Sequence, residues 1–261
     1  MISPSTRTEI LKRLKQVERE HHVRVLYAVE SGSRAWGFAS EDSDYDVRFV
    51  YAHPEAWYLS IDACEARDVI EYPIVDEIDL AGWDLRKALR LLRKSNPGIV
   101  EWLQSPIVYM DEGSFADRAR VLLPECYSPL SGLHHYRSMA QTNARGIFEA
   151  EAIKVKKIFY VLRPILAARW LEKFQTAPPM EFERLLPLLG DAADLNASIQ
   201  DLLRKKRDAT EKAQMPPPKV VLSFLEEGLR RLSDLALGTA PELPSTDVLN
   251  DLFRSVLREA P

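Results

Sequence analysis

Between Val29 and Tyr51 the chain reads VESGSRAWGFASEDSDYDVRFVY, and no other stretch limits its possible folds so closely. A Gly32-Ser33 pair closes an apolar run. After a gap of ten residues, Asp44-Tyr45-Asp46 leads into the β-favouring run Val47-Arg48-Phe49-Val50-Tyr51. Carboxylates at i and i+2 of a strand point to the same face. Held that close, they repel one another unless a cation lies between them. A divalent ion with oxygen ligands, Mg²⁺ or Mn²⁺, is the expected resolution. Gly32 permits a tight turn, after which Ser33 and the following amides would cradle a phosphate. A phosphate beside metal-binding carboxylates is the geometry of phosphoryl or nucleotidyl transfer. A hairpin with polar turns would use the same residues. Chance alone, however, yields Gly-Ser, ten residues and Asp-x-Asp at only ~10⁻⁵ per position.

Composition narrows the class without deciding it. At 261 residues and 46% hydrophobic, the chain can bury one large core or two small ones. No apolar run approaches the length of a membrane span, and the start MISPSTRTEILKRLKQ lacks the core of a signal peptide. A cytoplasmic protein is expected, with Cys64 and Cys126 as reduced packing residues. The five histidines follow no zinc-ligand pattern. The net charge of −4 is uneven: residues 1–125 carry −6 and residues 126–261 carry +2. An acidic half joined to a mildly basic one suits a site for both Mg²⁺ and phosphates. It does not match the basic footprint of a dedicated nucleic-acid binder.

Along the chain, Ser5 or Thr6 with Glu9 predicts a capped helix over 5–21, and residues 23–29 a strand leading to Gly32. Strands are expected at 45–51, 68–72 and 74–80. The chemistry also needs a third carboxylate from a neighbouring strand, and IVDEIDL offers Asp76, Glu77 and Asp79. Asp84 competes with them, although an acid at a helix start is equally explained by capping. Leu85–Leu92 reads as an amphipathic helix with Arg86, Lys87, Arg90 and Arg93 outward, as on a solvated face. Residues 122–131 look like a hinge between domains, and helical periodicity dominates from Leu133 onward. In a helix over 153–173, Lys156, Tyr160 and Arg163 share a face suited to NTP phosphates or a nucleic-acid backbone. Pro164 would kink that helix by removing a donor and crowding Tyr160. Arg204 to Arg207 reads as a basic helix end that complements the dipole, with an RNA-contacting patch as the other reading.

The Gly-Ser and Asp-x-Asp pair after a helix and strand resembles the DNA polymerase β-like nucleotidyltransferase superfamily. The longer stretches GSRAWGFASEDSDYDVRFVY, GWDLRKALRLLRKSNPGIVEWLQSPIVY and KKIFYVLRPILAARW look like its RNA-repair-associated bacterial branch, often called RlaP. This resemblance runs from about residue 25 to residue 175. It implies an α+β fold, with a mixed β-sheet flanked by helices over 1–125 and an all-α helical domain over 126–261. It further implies two-metal transfer of an NMP from an NTP such as ATP to an acceptor hydroxyl, on an RNA end such as that of a tRNA. Asp44, Asp46 and Asp79 would be the catalytic and metal-binding acids. Asp79 is preferred because the superfamily's third acid lies within a strand just before a helix. Gly32 and Ser33 would hold the β- and γ-phosphates, Arg34 and Ser43 would support them, and Lys156, Tyr160 and Arg163 would bind the nucleotide. The superfamily also contains enzymes that modify proteins and small molecules, and a non-catalytic NTP- or RNA-binding module is a third reading.

Overall fold

The computed structural model describes residues 2–208, 214–239 and 242–259. In chain order it begins with α1 (Pro4–His21), β1 (Arg24–Glu30), α2 (Gly32–Trp36), β2 (Tyr45–Ala52), α3 (Glu55–Tyr58), β3 (Val69–Glu71) and β4 (Ile78–Asp84). There follow α4 (Leu85–Arg93), α5 (Pro97–Leu103), β5 (Val108–Asp111), α6 (Phe115–Cys126), α7 (Pro129–Asn143), β6 (Ile153–Lys154) and α8 (Val155–Phe174). A 3-10 helix (Phe182–Leu189) precedes α9 (Ala193–Asp208), β7 (Gln214–Met215), α10 (Lys219–Asp234) and α11 (Asp247–Arg258).

The chain divides into two units. One comprises residues 1–32, 44–126 and 243–261; the other comprises 33–43 and 127–242. The expected single boundary after residue 125 therefore needs two corrections. Helix α11 returns to the N-terminal unit, where Arg118 of α6 bonds Ser255 and Arg24 of β1 donates to the Val256 carbonyl at 2.6 Å. Residues 33–43 belong to the helical unit because Phe38 lies in its core. That ring stacks on Phe159 at 4.9 Å and meets Phe182 edge-on at 5.4 Å.

The first unit is built on a five-stranded sheet in the order β3-β4-β2-β1-β5. β2 runs parallel to β4 and antiparallel to β1, so the sheet is mixed. A parallel pair requires a crossover, which α3 and β3 supply. On one face, Ile10, Leu14 and Val17 of α1 pack with Val25, Val47, Phe49, Tyr51 and Leu80. The cap of α1 is Ser3, which accepts the Thr6 N–H at 3.0 Å, with Pro4 in the first turn. The helix thus starts ahead of the expected Ser5 or Thr6. β4 starts at Ile78 rather than residue 74, because Asp76 and Glu77 adopt left-handed φ values of 52° and 62°. Val75 and Ile78 bridge across them as a two-residue turn.

The second unit is helical, but not purely so: β6 and β7 pair through Ile153 with Met215 and Lys154 with Gln214. Its core joins Tyr136 and Ala140 of α7 to Phe159, Leu162 and Leu166 of α8, with Leu202 and Leu225 from α9 and α10. Helix α8 runs unbroken past Pro164. Proline has no N–H to offer the carbonyl one turn back, which belongs to Tyr160. Asn143, at the end of α7, donates its side-chain amide to that carbonyl at 2.8 Å. The expected hinge over 122–131 is mostly helix, since α6 continues through Pro124 to Cys126 and α7 starts at Pro129. Cys126 is buried as expected of a packing residue, whereas Cys64 is exposed.

Candidate active site

The parallel pairing of β2 with β4 sets Asp46 directly beside Asp79. Side chains paired across neighbouring strands share a face, so the two carboxylates come together by register. Between them lies the guanidinium of Arg48, two residues along β2. Its Nη2 reaches Asp46 Oδ1 at 3.2 Å and Asp79 Oδ2 at 2.6 Å, and its Nη1 donates to the Asp79 carbonyl at 2.9 Å. The cation demanded by two close carboxylates is thus provided by the chain itself. Exposures of 27% for Asp46, 28% for Asp79 and 20% for Arg48 leave the group open to solvent on one side. The sequence held the signal for Arg48 in the alternation of Asp46-Val47-Arg48, which puts acid and base on one face.

Gly32 stands against the same carboxylate. A Cβ at this position would lie 2.0 Å from Asp46 Oδ2, and φ is +57°. Only glycine combines that left-handed conformation with so close an approach. Beneath the pair, the backbone of β2 is fixed by Glu30, which is fully buried at the end of β1. Glu30 accepts the Asp46 N–H at 3.0 Å and the hydroxyl of Tyr109. Neither residue stands out in the sequence, because the contact depends on how β1, β2 and β5 pair.

The remaining expected residues divide into three groups. Asp44 is exposed and lies one residue outside β2, where strand alternation no longer dictates its direction. Among the described residues, no group of three or more His, Cys, Asp or Glu side chains could hold a metal ion. The expected three-acid cluster is therefore not assembled, and the paired acids are Asp46 and Asp79. Asp84 is occupied elsewhere. It is 1% exposed, caps α4 by accepting the Arg86 N–H at 2.8 Å, and accepts the Tyr58 hydroxyl at 2.6 Å. Asp76 pairs with Arg13 at 2.7 Å on the surface, and the Glu77 carbonyl accepts the Tyr45 N–H.

In the helical unit, residues 33–43 form a closed loop. Arg34 donates to the carbonyls of Ser43 and Glu41, and the Ser40 and Ser43 hydroxyls bond at 2.9 Å. Lys206 of α9 is only 3% exposed and reaches the Ser40 hydroxyl at 2.9 Å. Beyond the dipole-complementing role read for the basic end of α9, this lysine anchors the loop. Ser43, itself buried, and partly exposed Arg34 thus both take part in closing the loop. Along the shared face of α8, exposed Tyr160 meets Trp36 edge-on at 5.3 Å, and Arg163 lies over the Trp36 ring at 4.6 Å. Arg163 is 1% exposed and donates to the Met180 carbonyl, which makes it a packing cation rather than an open phosphate ligand. Lys156 is partly exposed on the first turn of α8. Ser33 is 6% exposed, next to Gly32.

At the far end of β2, His53 stacks on Trp57 at 3.9 Å, and burial lowers its pKa below the ordinary 6.5 despite the attraction of Asp84. A histidine held neutral in the folded state contributes stability above the unfolded pKa. That contribution is lost as pH falls below about 6.5 toward the lowered folded value. The urea midpoint is expected to drop between neutral pH and about pH 5. H53Q should show a shallower drop, because that position no longer takes up a proton on unfolding.

A mixed five-stranded sheet with flanking helices, followed by a helical unit, makes an α+β architecture. The chain belongs to the RNA repair pathway DNA polymerase beta family, whose model matches residues 6–255. Membership thus extends over the tail beyond residue 175, where sequence motifs are weakest. The chain is 43% identical over 251 residues to the uncharacterized protein YcgL of Bacillus subtilis (strain 168), covering 96% of each chain. The crystal structure of a nucleotidyltransferase-like protein from Exiguobacterium sibiricum 255-15 aligns with 92% of this chain and 78% of its own, at 14% identity. Its TM-score of 0.31 is too low to bear on the site.

Proposed function

We propose that this protein transfers an NMP from an NTP to an acceptor hydroxyl on RNA, in a metal-dependent reaction. The observation that carries the reading is the in-register pair Asp46 and Asp79 with Gly32 closed down on it. Two carboxylates are a fitting donor set for Mg²⁺ or Mn²⁺, since Mg²⁺ is commonly held by one or two carboxylates, waters and substrate phosphates. Asp46 and Asp79 would hold the ion, with Asp44 at the strand entrance as a further oxygen donor. When bound, it would neutralise the triphosphate and lower the pKa of the attacking hydroxyl.

The chain's own groups have separate tasks. Arg48 orients both carboxylates before substrate arrives. Gly32 leaves the space over Asp46 clear of side-chain atoms, and the adjoining Ser33 supplies a hydroxyl and amide to the β- and γ-phosphates. Glu30 and Tyr109 hold the Asp46 backbone still, so that the carboxylate is placed to within a fraction of an ångström. RNA as acceptor is supported by the family to which the chain belongs.

Incubation with each α-labelled NTP, Mg²⁺ and either total RNA or protein extract tests the proposal. Label should enter the RNA fraction and require the metal. Label in protein or in a small molecule would overturn the acceptor assignment, and NTP binding without labelling of any acceptor would overturn transfer itself.

A further inference from the structure

Helices α4 and α11, both in the first unit, enclose a cavity of about 570 Å³. Its wall carries Arg86, Arg90, Arg93 and Lys94, and among the described residues none that lines it is acidic. Its floor is apolar, with Leu89 from α4 and Leu249 and Phe253 from α11.

Two of the three arginines are held by uncharged partners. Arg86 donates to the Ala63 carbonyl and lies over the rings of Trp57 and Tyr58 at 5.9 and 5.6 Å. Arg93 donates to the Pro244 carbonyl at 2.6 Å. Arg90 is exposed, and its side chain makes no hydrogen bond or ion pair among the described residues. The acids of α11 face other groups: Asp247 accepts from Ser245, and Asp251 pairs with Arg254. Asp84, the acid beside Arg86, is buried and engaged by Tyr58.

Bases near a helix C-terminus complement the dipole, and one or two would need no other explanation. Four on one cavity wall, two of them fixed by neutral partners, create a local excess of positive charge in an otherwise acidic unit. Arg86, Arg90 and Arg93 recur along about two helical turns, on the order of 10 Å, which exceeds the reach of a single phosphate. Cations that follow a backbone beside apolar and aromatic surface are the pattern that holds a single nucleic-acid strand.

We infer that the groove between α4 and α11 binds a single-stranded segment of the acceptor RNA. Arg86, Arg90, Arg93 and Lys94 would take its phosphates, and Phe253 would pack against a base. This rests on the reading of RNA as the acceptor. It adds a second RNA contact surface, apart from the paired acids.

The test is fluorescence anisotropy with a labelled single-stranded RNA of about 20 nucleotides, titrated from about 50 to 200 mM salt without NTP or Mg²⁺. The variant R90E/K94E should bind about tenfold or more weakly, and the salt slope should fall by about 1.4 through loss of two single-strand contacts. R90Q/K94Q should shift affinity and slope the same way, and it serves if the charge reversal disturbs the fold, as circular dichroism would show. Wild-type affinity and slope in both double variants would overturn the groove assignment while leaving the RNA acceptor intact. If these variants lost binding of inorganic tripolyphosphate but retained that of RNA, the groove would be a small-anion site and the inference would fail. A wild-type protein that binds no RNA would overturn the inference and the acceptor reading together.

Discussion

D46N is expected to lower nucleotidyl transfer by about 10³-fold, the scale on which a preorganised electrostatic group acts, equivalent to about 4 kcal/mol of barrier. The substitution keeps the side-chain volume and removes only the charge. It leaves the Asp46 N–H bonded to Glu30 and the Asp79 carboxylate bonded to Arg48. The lost ion pair with Arg48 is partly exposed, so its contribution to stability is about 1 kcal/mol or less. Thermal melts should therefore nearly coincide with those of the wild type while activity collapses. Activity within a few-fold of wild type would mean that the paired acids are a surface ion pair and no more. Because the two carboxylates act as one site, D46N/D79N should cost little beyond the single change.

G32A is expected to damage both fold and activity. The new methyl would sit 2.0 Å from Asp46 Oδ2 and 2.8 Å from its Cγ, so the carboxylate must move. Alanine would also be confined to a left-handed conformation that costs on the order of 1–3 kcal/mol. Displacing a reacting group by about 1 Å can lower the rate about 10²-fold. Urea midpoints and transfer rates, measured together, check both effects. A variant of normal stability and rate would show that the close approach of Gly32 to Asp46 has no part in the chemistry.

The sequence was most legible where a pattern is local. Gly-Ser, Asp-x-Asp and the β-favouring run after it locate β2, with Asp46 inside the strand and Asp44 one residue before it, because alternation along one strand needs no partner to define it. Position in the sequence favours Asp79 over Asp84; in the fold, register sets Asp79 beside Asp46, while Asp84 caps α4 and accepts from Tyr58. What stayed hidden depends on contacts distant in sequence. Lys206 reaches Ser40 across 166 residues, and Asn143 reaches the carbonyl left over by Pro164 from another helix. Neither shows as a periodicity. Arg163 shares a face with Lys156 and Tyr160 as spacing requires, but spacing cannot say that Trp36 covers that face. Helix α11 looked like the end of a helical tail because its own apolar stripe does not reveal which unit it completes.

The central claim is that Asp46 and Asp79 bind a divalent cation together with the triphosphate. Crystals soaked with Mn²⁺ and a non-hydrolysable NTP, examined by anomalous scattering, test it most directly. The account predicts a peak within coordination distance of both carboxylates, with the Arg48 guanidinium drawn away from between them and the triphosphate beside Gly32. Bound nucleotide with its metal elsewhere, and Arg48 still bridging Asp46 and Asp79, would contradict it.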